Sequence, residues 1–332
     1  MGQVCSLFKS LQRFSFWAAF KKLDFSLRQL IFTHLKITEI LAPKSRMLET
    51  IEITIRPKSD SKNQISRVRR AVSSALERDG MALLPPQDVK KTLALQRILG
   101  QNFDTVMLDP WYNKGFGGIQ SDYRNFFLEV IRDSAVVAKH VFFWGFPEIV
   151  APFVERIPKP LDLVCWLTWY YKNNPSVIRG WRSSQNACLH LAHPGAQLHP
   201  ERFLNDKQKT LASKGKLRYM PGPTSVLEDS PADVIEQALL VGFVGRDEQT
   251  GHPAQKPFKV YDKLLQMTVS DGGMILDPMC GSGTTGCVAR ERCFKAILCD
   301  GSEEYTAIVE KRLGIKRLNI QEELTGLLED NR

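Results

Sequence analysis

Hydrophobic and polar positions follow two different periods along this chain. Short continuous apolar runs at 103–108, 141–145, 164–171, 186–192, 274–276 and 296–299 read as buried strands. Between them, helical spacing predicts helices over 65–79, 87–99, 125–138, 258–269 and 303–313, the third with Phe126, Phe127, Val130 and Ile131 on its apolar side. Gly80 and Gly100 stand where the first two helices should stop, and Pro257 suits a first helical position. Strands alternating with helices predict an α/β fold with a doubly wound, mostly parallel sheet.

Other stretches break the pattern. Ile51, Ile53 and Ile55 alternate with polar residues, as in a half-buried strand, and 56–63 reads as a polar loop. Residues 194–230 lose periodicity and gain Pro, Gly, Lys and Arg, which marks an insert rather than a core element. Residues 1–47 mix Phe14, Phe16, Trp17 and Phe20 with Lys and Arg and carry only Asp24 and Glu39 as acids. That is a basic amphipathic extension, too charged to span a bilayer. An accessory helix, or an extension ahead of a start at Met47, is the plain reading. A myristoylation pattern in Met1-Gly-Gln-Val-Cys-Ser and an organelle presequence are the other two. The domain expected to carry the activity is 48–330.

Composition narrows the class. With 43% hydrophobic and 24% charged residues among 332, the chain can bury a real core, and disorder is excluded as its main state. A net charge of +9 favours a polyanionic partner. The seven cysteines include no Cys-x-x-Cys and are odd in number, so a disulfide framework and a zinc site are not expected, and the thiols read as small buried hydrophobes.

Two places carry the candidate chemistry. The first is 273–303, where the apolar run ends at Asp277-Pro278 and gives way to Met-Cys-Gly281-Ser282-Gly283-Thr284-Thr285. Glycines there let the backbone take positive φ and approach a ligand, and the threonines can open a helix. A second strand ends at Asp300, about twenty residues after the first, the separation at which a carboxylate meets a ribose diol. No Lys follows the glycines and a third fingerprint glycine is missing, so neither a P-loop nor a dinucleotide site fits. A carboxylate-flanked, phosphate-free loop suits a sulfonium cofactor such as S-adenosylmethionine.

The second place is Asp109-Pro110-Trp111-Tyr112 at the end of the strand 103–108. Alone this could be a plain turn. With the glycine loop, both carboxylates should share the ligand-binding edge of one open sheet. Lys172, Arg179 and Arg182 alternate with Trp169, Tyr170, Tyr171 and Trp181, which fits either a groove for an unstacked base or ordinary core with solvated cations.

Asp-Pro-Trp-Tyr, then His252-Pro-Ala-Gln-Lys256-Pro257, then the glycine loop stand in that order. The chain resembles the β-class of S-adenosylmethionine-dependent amino-group DNA methyltransferases over about 85–315. The resemblance implies a permuted, Rossmann-like seven-stranded sheet with a target-recognition insert near 194–250. It also implies methyl transfer to the exocyclic amine of a base flipped out of double-stranded DNA, adenine N6 ahead of cytosine N4. An RNA methyltransferase and a catalytically silent homologue are the rival readings. By the same resemblance Asp109 and Pro110 accept the amine hydrogens, Tyr112 stacks on the base, and Trp111 lines the pocket or packs beneath it. Gly281, Ser282, Gly283 and Thr284 cradle the cofactor, Asp277 orders the loop, Asp300 holds the ribose and Lys256 lies near the cofactor carboxylate. The family usually has a second proline where this chain has Trp111. No Pro-Cys pair is present for cytosine-C5 chemistry. Such an enzyme is expected to be a cytoplasmic monomer or homodimer of a prokaryote or phage, without metal and without stable membrane association, often within a restriction-modification system.

Overall fold

A computed structural model describes residues 59–113, 118–171, 177–178, 180–226 and 246–329, all within the unit 57–332. The N-terminal extension and the strand expected at 51–55 lie outside the described residues. Helix α1 (Ser59–Asp79) begins inside the stretch expected to be a loop. Its first six residues, Ser-Asp-Ser-Lys-Asn-Gln, are all polar types, so no apolar period announces them. Gly80 ends it at φ 68°, and β1 (Met81–Leu83), an unpredicted strand of three buried residues, follows at once. A run that short shows no period of its own.

Helix α2 (Val89–Leu99) starts after Asp88, whose side chain accepts the amides of Lys90 and Lys91, and stops at a left-handed Gly100. Then come β2 (Phe103–Leu108), α3 (Tyr123–Val137), β3 (Ala138–Gly145) and an unpredicted α4 (Pro147–Val154) with Pro152 inside it. Next are β4 (Asp162–Tyr170), a small hairpin of β5 (Val177–Ile178) and β6 (Trp181–Arg182), and β7 (Gln185–Ala192). In the insert, α5 (Asp206–Ser213) is held by a reciprocal Asn205/Gln208 cap and buries none of its residues. The chain ends with α6 (Phe258–Thr268), β8 (Met274–Asp277), α7 (Thr284–Glu291), β9 (Lys295–Leu298), α8 (Glu303–Leu313) and α9 (Gln321–Glu329). Pro257 is the cap of α6 and not its first helical residue.

Among the described residues the main sheet has seven strands in the order β1-β9-β8-β2-β3-β7-β4. β1, β9, β8, β2 and β3 are mutually parallel, while β7 runs against both its neighbours. Alternate residues of β2 serve opposite layers, Val106 and Leu108 packing with α2 and α3 and Met107 with α6 and α7. Phe127, Val130 and Ile131 of α3 are buried as their spacing predicts, each worth about 1.5–3 kcal/mol of transfer free energy. From β2 the chain steps to β3 on one side, and from β8 to β9 on the other, so the strand order reverses between β8 and β2, where open α/β sheets bind ligands. The described cysteines are all free, with Cys188, Cys280 and Cys299 buried. Cys293 is exposed, against the expectation of burial, because it sits at positive φ in the turn after α7. No helix among the described residues is long and apolar enough to cross a membrane.

Candidate active site

Register decides whether the two carboxylates meet. Thr105 pairs with Ile275 and Val106 with Leu276 in parallel, so Asp277 comes level with Met107 and Asp109 lies two residues beyond, at the same end of neighbouring strands. On the other flank Asp277 pairs with Leu298, which puts Asp300 two residues past the end of β9. The three acids line one edge of the sheet at its switch point.

Asp277 braces the loop from below. It is 2% exposed; its Oδ1 accepts the Met279 amide at 3.2 Å and its Oδ2 accepts the Thr285 hydroxyl. Burial raises its pKa to about 7, against the pull of those two hydrogen bonds. Asp300 reaches across, accepting the Gly281 amide at Oδ2 and the Ser302 amide at Oδ1, each at 2.9 Å. Gly281 has φ 50° and Gly283 φ 78°, and a Cβ on Gly281 would stand 3.0 Å from Nε2 of His252. Only glycine gives that conformation and that approach without strain. The His252 ring in turn packs edge-on to Tyr305, centroids 4.3 Å apart, and burial lowers its pKa.

Ser282 is turned inward. Arg312 of α8 donates to its carbonyl (3.0 Å), to its hydroxyl (3.3 Å) and to the Thr284 hydroxyl (3.1 Å), so what Ser282 can offer the cleft is backbone. The Thr284 hydroxyl also donates to the Lys256 carbonyl at 3.0 Å. Sequence reasoning missed Arg312, whose only signal was a basic residue in the last turn of a helix.

Asp109 accepts four hydrogen bonds from three donors. Lys256 Nζ lies 2.8 Å from Oδ1 and 2.6 Å from Oδ2, the Tyr112 hydroxyl donates to Oδ1 at 3.1 Å, and the Tyr261 hydroxyl donates to Oδ2 at 3.1 Å. Burial, then the charge of Asp109, push both phenols well above their ordinary pKa, so both stay protonated donors. The Lys256 ammonium also sits 5.2, 5.4 and 6.0 Å from the ring centroids of Tyr112, Trp144 and Trp169. The resemblance placed Lys256 beside the cofactor carboxylate; in this structure its ammonium is on Asp109. Tyr261 and Trp144, stacked 6.0 Å apart, were not singled out from the sequence, because each reads there as a core aromatic.

The Trp111 ring packs beneath the turn, edge-on to Tyr123 and Phe127 with centroids 5.6 and 5.7 Å away, and the Tyr123 hydroxyl donates to the Trp111 carbonyl at 2.9 Å. Pro110 is buried beside it. Tyr112 points the other way, 4.8 Å edge-on to Phe146. The basic and aromatic run of 169–182 divides: Trp169 and Tyr171 are core, whereas Trp181 is 85% exposed on the hairpin. Lys172 and Arg179 lie outside the described residues.

The donor set fits an adenosine-type cofactor carrying a cationic sulfur. Acids line the edge, the loop is free of phosphate-binding lysine, and Gln87, whose backbone N–H donates to the Asp300 carbonyl at 3.1 Å, has a buried side-chain Nε2 with no partner among the described residues. An orphaned donor beside the acid expected to hold a ribose is what a bound purine edge would satisfy. A cavity of about 600 Å³ opens nearby between 247–250 and α8, lined by Thr250, Glu304 and Lys311 among others. Neither Asp109 nor Asp277 lines it.

Fold and site define a methyltransferase of the S-adenosylmethionine-dependent kind. The sequence profile of the N6_N4_Mtase family of DNA methylases matches residues 103–311, and the chain belongs to that family. It is similar to the type II methyltransferase M.HpaI of Haemophilus parainfluenzae, 23% identical over 232 residues that cover 66% of this chain and 71% of that protein. It is also similar to the DNA adenine methyltransferase YhdJ of Escherichia coli (strain K12), 34% identical over 243 residues, 68% of this chain and 79% of that protein. Among solved structures, M1.HpyAVI in complex with SAM overlays with a TM-score of 0.51 at 16% identity, covering 71% of this chain and all of that one. At that identity the overlay speaks for the fold.

Proposed function

We propose that this DNA methyltransferase transfers a methyl group from S-adenosylmethionine to the exocyclic N6 of an adenine flipped out of double-stranded DNA, with Asp109 as the central catalytic residue. The observation that carries the reading is the placement of Asp109 and Asp277 at the same end of adjacent parallel strands. The identity with YhdJ favours adenine over cytosine.

An exocyclic amine is a poor nucleophile because its lone pair is delocalised into the ring. Acceptors set against its two N–H groups favour the pyramidal nitrogen that attack requires. The Asp109 carboxylate and the Pro110 carbonyl are those acceptors, and the carboxylate is the nearest base for the proton the amine gives up. Tyr112 stacks on the extruded base, while Trp111 supports the turn through α3. The cofactor, held by Gly281, the Ser282 backbone, Gly283, Thr284, Asp300 and Gln87, supplies an electrophilic methyl on a sulfonium. Asp277 keeps the loop in place. Trp181, exposed on a hairpin that leaves the same edge of the sheet, meets the DNA, and the insert near 194–250 reads its sequence.

Radiolabelled S-adenosylmethionine, offered with DNA, RNA and protein in separate reactions, tests the assignment. Label is expected in DNA; label in RNA alone would overturn it.

A further inference from the structure

The hydrogen bonds that Asp109 accepts within the protein compete with the role given to it. A carboxylate has about four lone-pair positions, and Lys256, Tyr112 and Tyr261 fill four between them. A target amine needs the same oxygens. In this state the group that should receive the substrate is saturated by its own protein.

Tyr261 is 3% exposed and stacked on Trp144, so it is fixed. Lys256 is the member on a flexible arm, and it is connected at both ends. Its carbonyl accepts the hydroxyl of Thr284, the first residue of the helix after the glycine loop, while its ammonium crosses to the catalytic turn. One residue thus joins the cofactor half of the site to the base half. Four positions earlier, in the same segment, the His252 ring rests against Gly281. The 252–257 segment therefore closes the cleft in two places.

We infer that Lys256 is a latch: it occupies Asp109 until cofactor is bound, then leaves, so that the site accepts a target amine only once a methyl donor is in place. A buried ammonium held by a half-buried carboxylate leaves it readily only for another anion. The cofactor assigned above carries one, the α-carboxylate of its methionyl end. This inference rests on that cofactor assignment. Toward the target amine Lys256 acts only through Asp109.

The test uses the full-length protein with ¹⁵N-labelled lysine. A buried, ion-paired ammonium exchanges slowly enough to give its own NMR signal, identified by its loss in Lys256→Arg. S-adenosylhomocysteine, which has the carboxylate but no transferable methyl, is expected to shift or abolish that signal. Saturating 5′-methylthioadenosine, which lacks the amino-acid arm, is expected to leave it in place. A signal unchanged when calorimetry shows S-adenosylhomocysteine bound overturns the latch and leaves the assigned activity standing. An equal shift with both compounds overturns the carboxylate as the trigger. Failure of S-adenosylhomocysteine to bind at all overturns the cofactor assignment, and the latch with it.

Discussion

The hydroxyl of Tyr123 donates to the carbonyl of Trp111, tying the first turn of α3 to the backbone of the turn 109–112. Tyr123 is 5% exposed and the bond is partly buried. Tyr123→Phe removes the donor and keeps the ring. It is expected to cost about 1 kcal/mol of stability and to lower kcat several-fold, with S-adenosylhomocysteine affinity unchanged. Steady-state kinetics beside calorimetry check this.

Trp111 stands where the family usually has proline, and its ring is packed on Tyr123 and Phe127. Trp111→Ala should therefore act mainly on folding. The loss is expected to be about 3 kcal/mol, the low end for deleting a large aromatic because this one is only partly buried. Urea unfolding measures it; a loss below roughly 0.5 kcal/mol, the range of surface changes, would show that the ring supports nothing.

Asp109→Asn keeps the shape of the turn and removes the charge. Methyl transfer is expected to fall by roughly 10²–10³-fold, the scale for loss of one preorganised electrostatic group, while S-adenosylhomocysteine still binds. Single-turnover assays and calorimetry separate the two effects.

Trp181 is solvent-exposed, so Trp181→Ala should leave folding within about 0.5 kcal/mol. Binding to DNA should weaken by about 1–3 kcal/mol if the ring stacks on bases. Because no phosphate contact is removed, the slope of affinity against salt should not change. Fluorescence anisotropy over a salt series reads both.

Acid stability has a definite sign. His140 and His190 share a buried hydrogen bond of 3.1 Å, and burial lowers their pKa values to about 4 and about 3. Between about pH 6.5 and 4 the unfolded chain protonates both while the fold does not, so they withdraw stability as pH falls. Asp277, raised to about 7, acts the other way, since the fold holds a proton there that the unfolded chain has released. Among these three groups the net is about one proton, on the order of 1 kcal/mol lost per pH unit near pH 5, and His252, also lowered by burial, adds to it. Asp277→Asn should steepen the slope by about one further proton, roughly 1.4 kcal/mol per pH unit, as denaturant titrations at pH 5 and 6 will read.

Much of this was legible in the sequence because it is local. The apolar runs ending at Leu108 and at Asp277, the glycine loop and the helix 303–313 all appear where their patterns put them. Other features have no local signature. β1 is too short to show a period, α4 hides behind two prolines, and α1 opens with polar turns. The pairing of Lys256 with Asp109 spans 147 positions, and Arg312 reaches back 30 to Ser282. Such contacts exist only once the sheet has brought β2, β8 and β9 side by side.

The most direct measurement is mass spectrometry of nucleosides from unmethylated DNA incubated with the protein and S-adenosylmethionine. N6-methyldeoxyadenosine is expected with wild type, and none with Asp109→Ala. N4-methyldeoxycytidine in its place would contradict the assigned base. Equal methylation by wild type and Asp109→Ala would contradict the role given to the strand-end carboxylate.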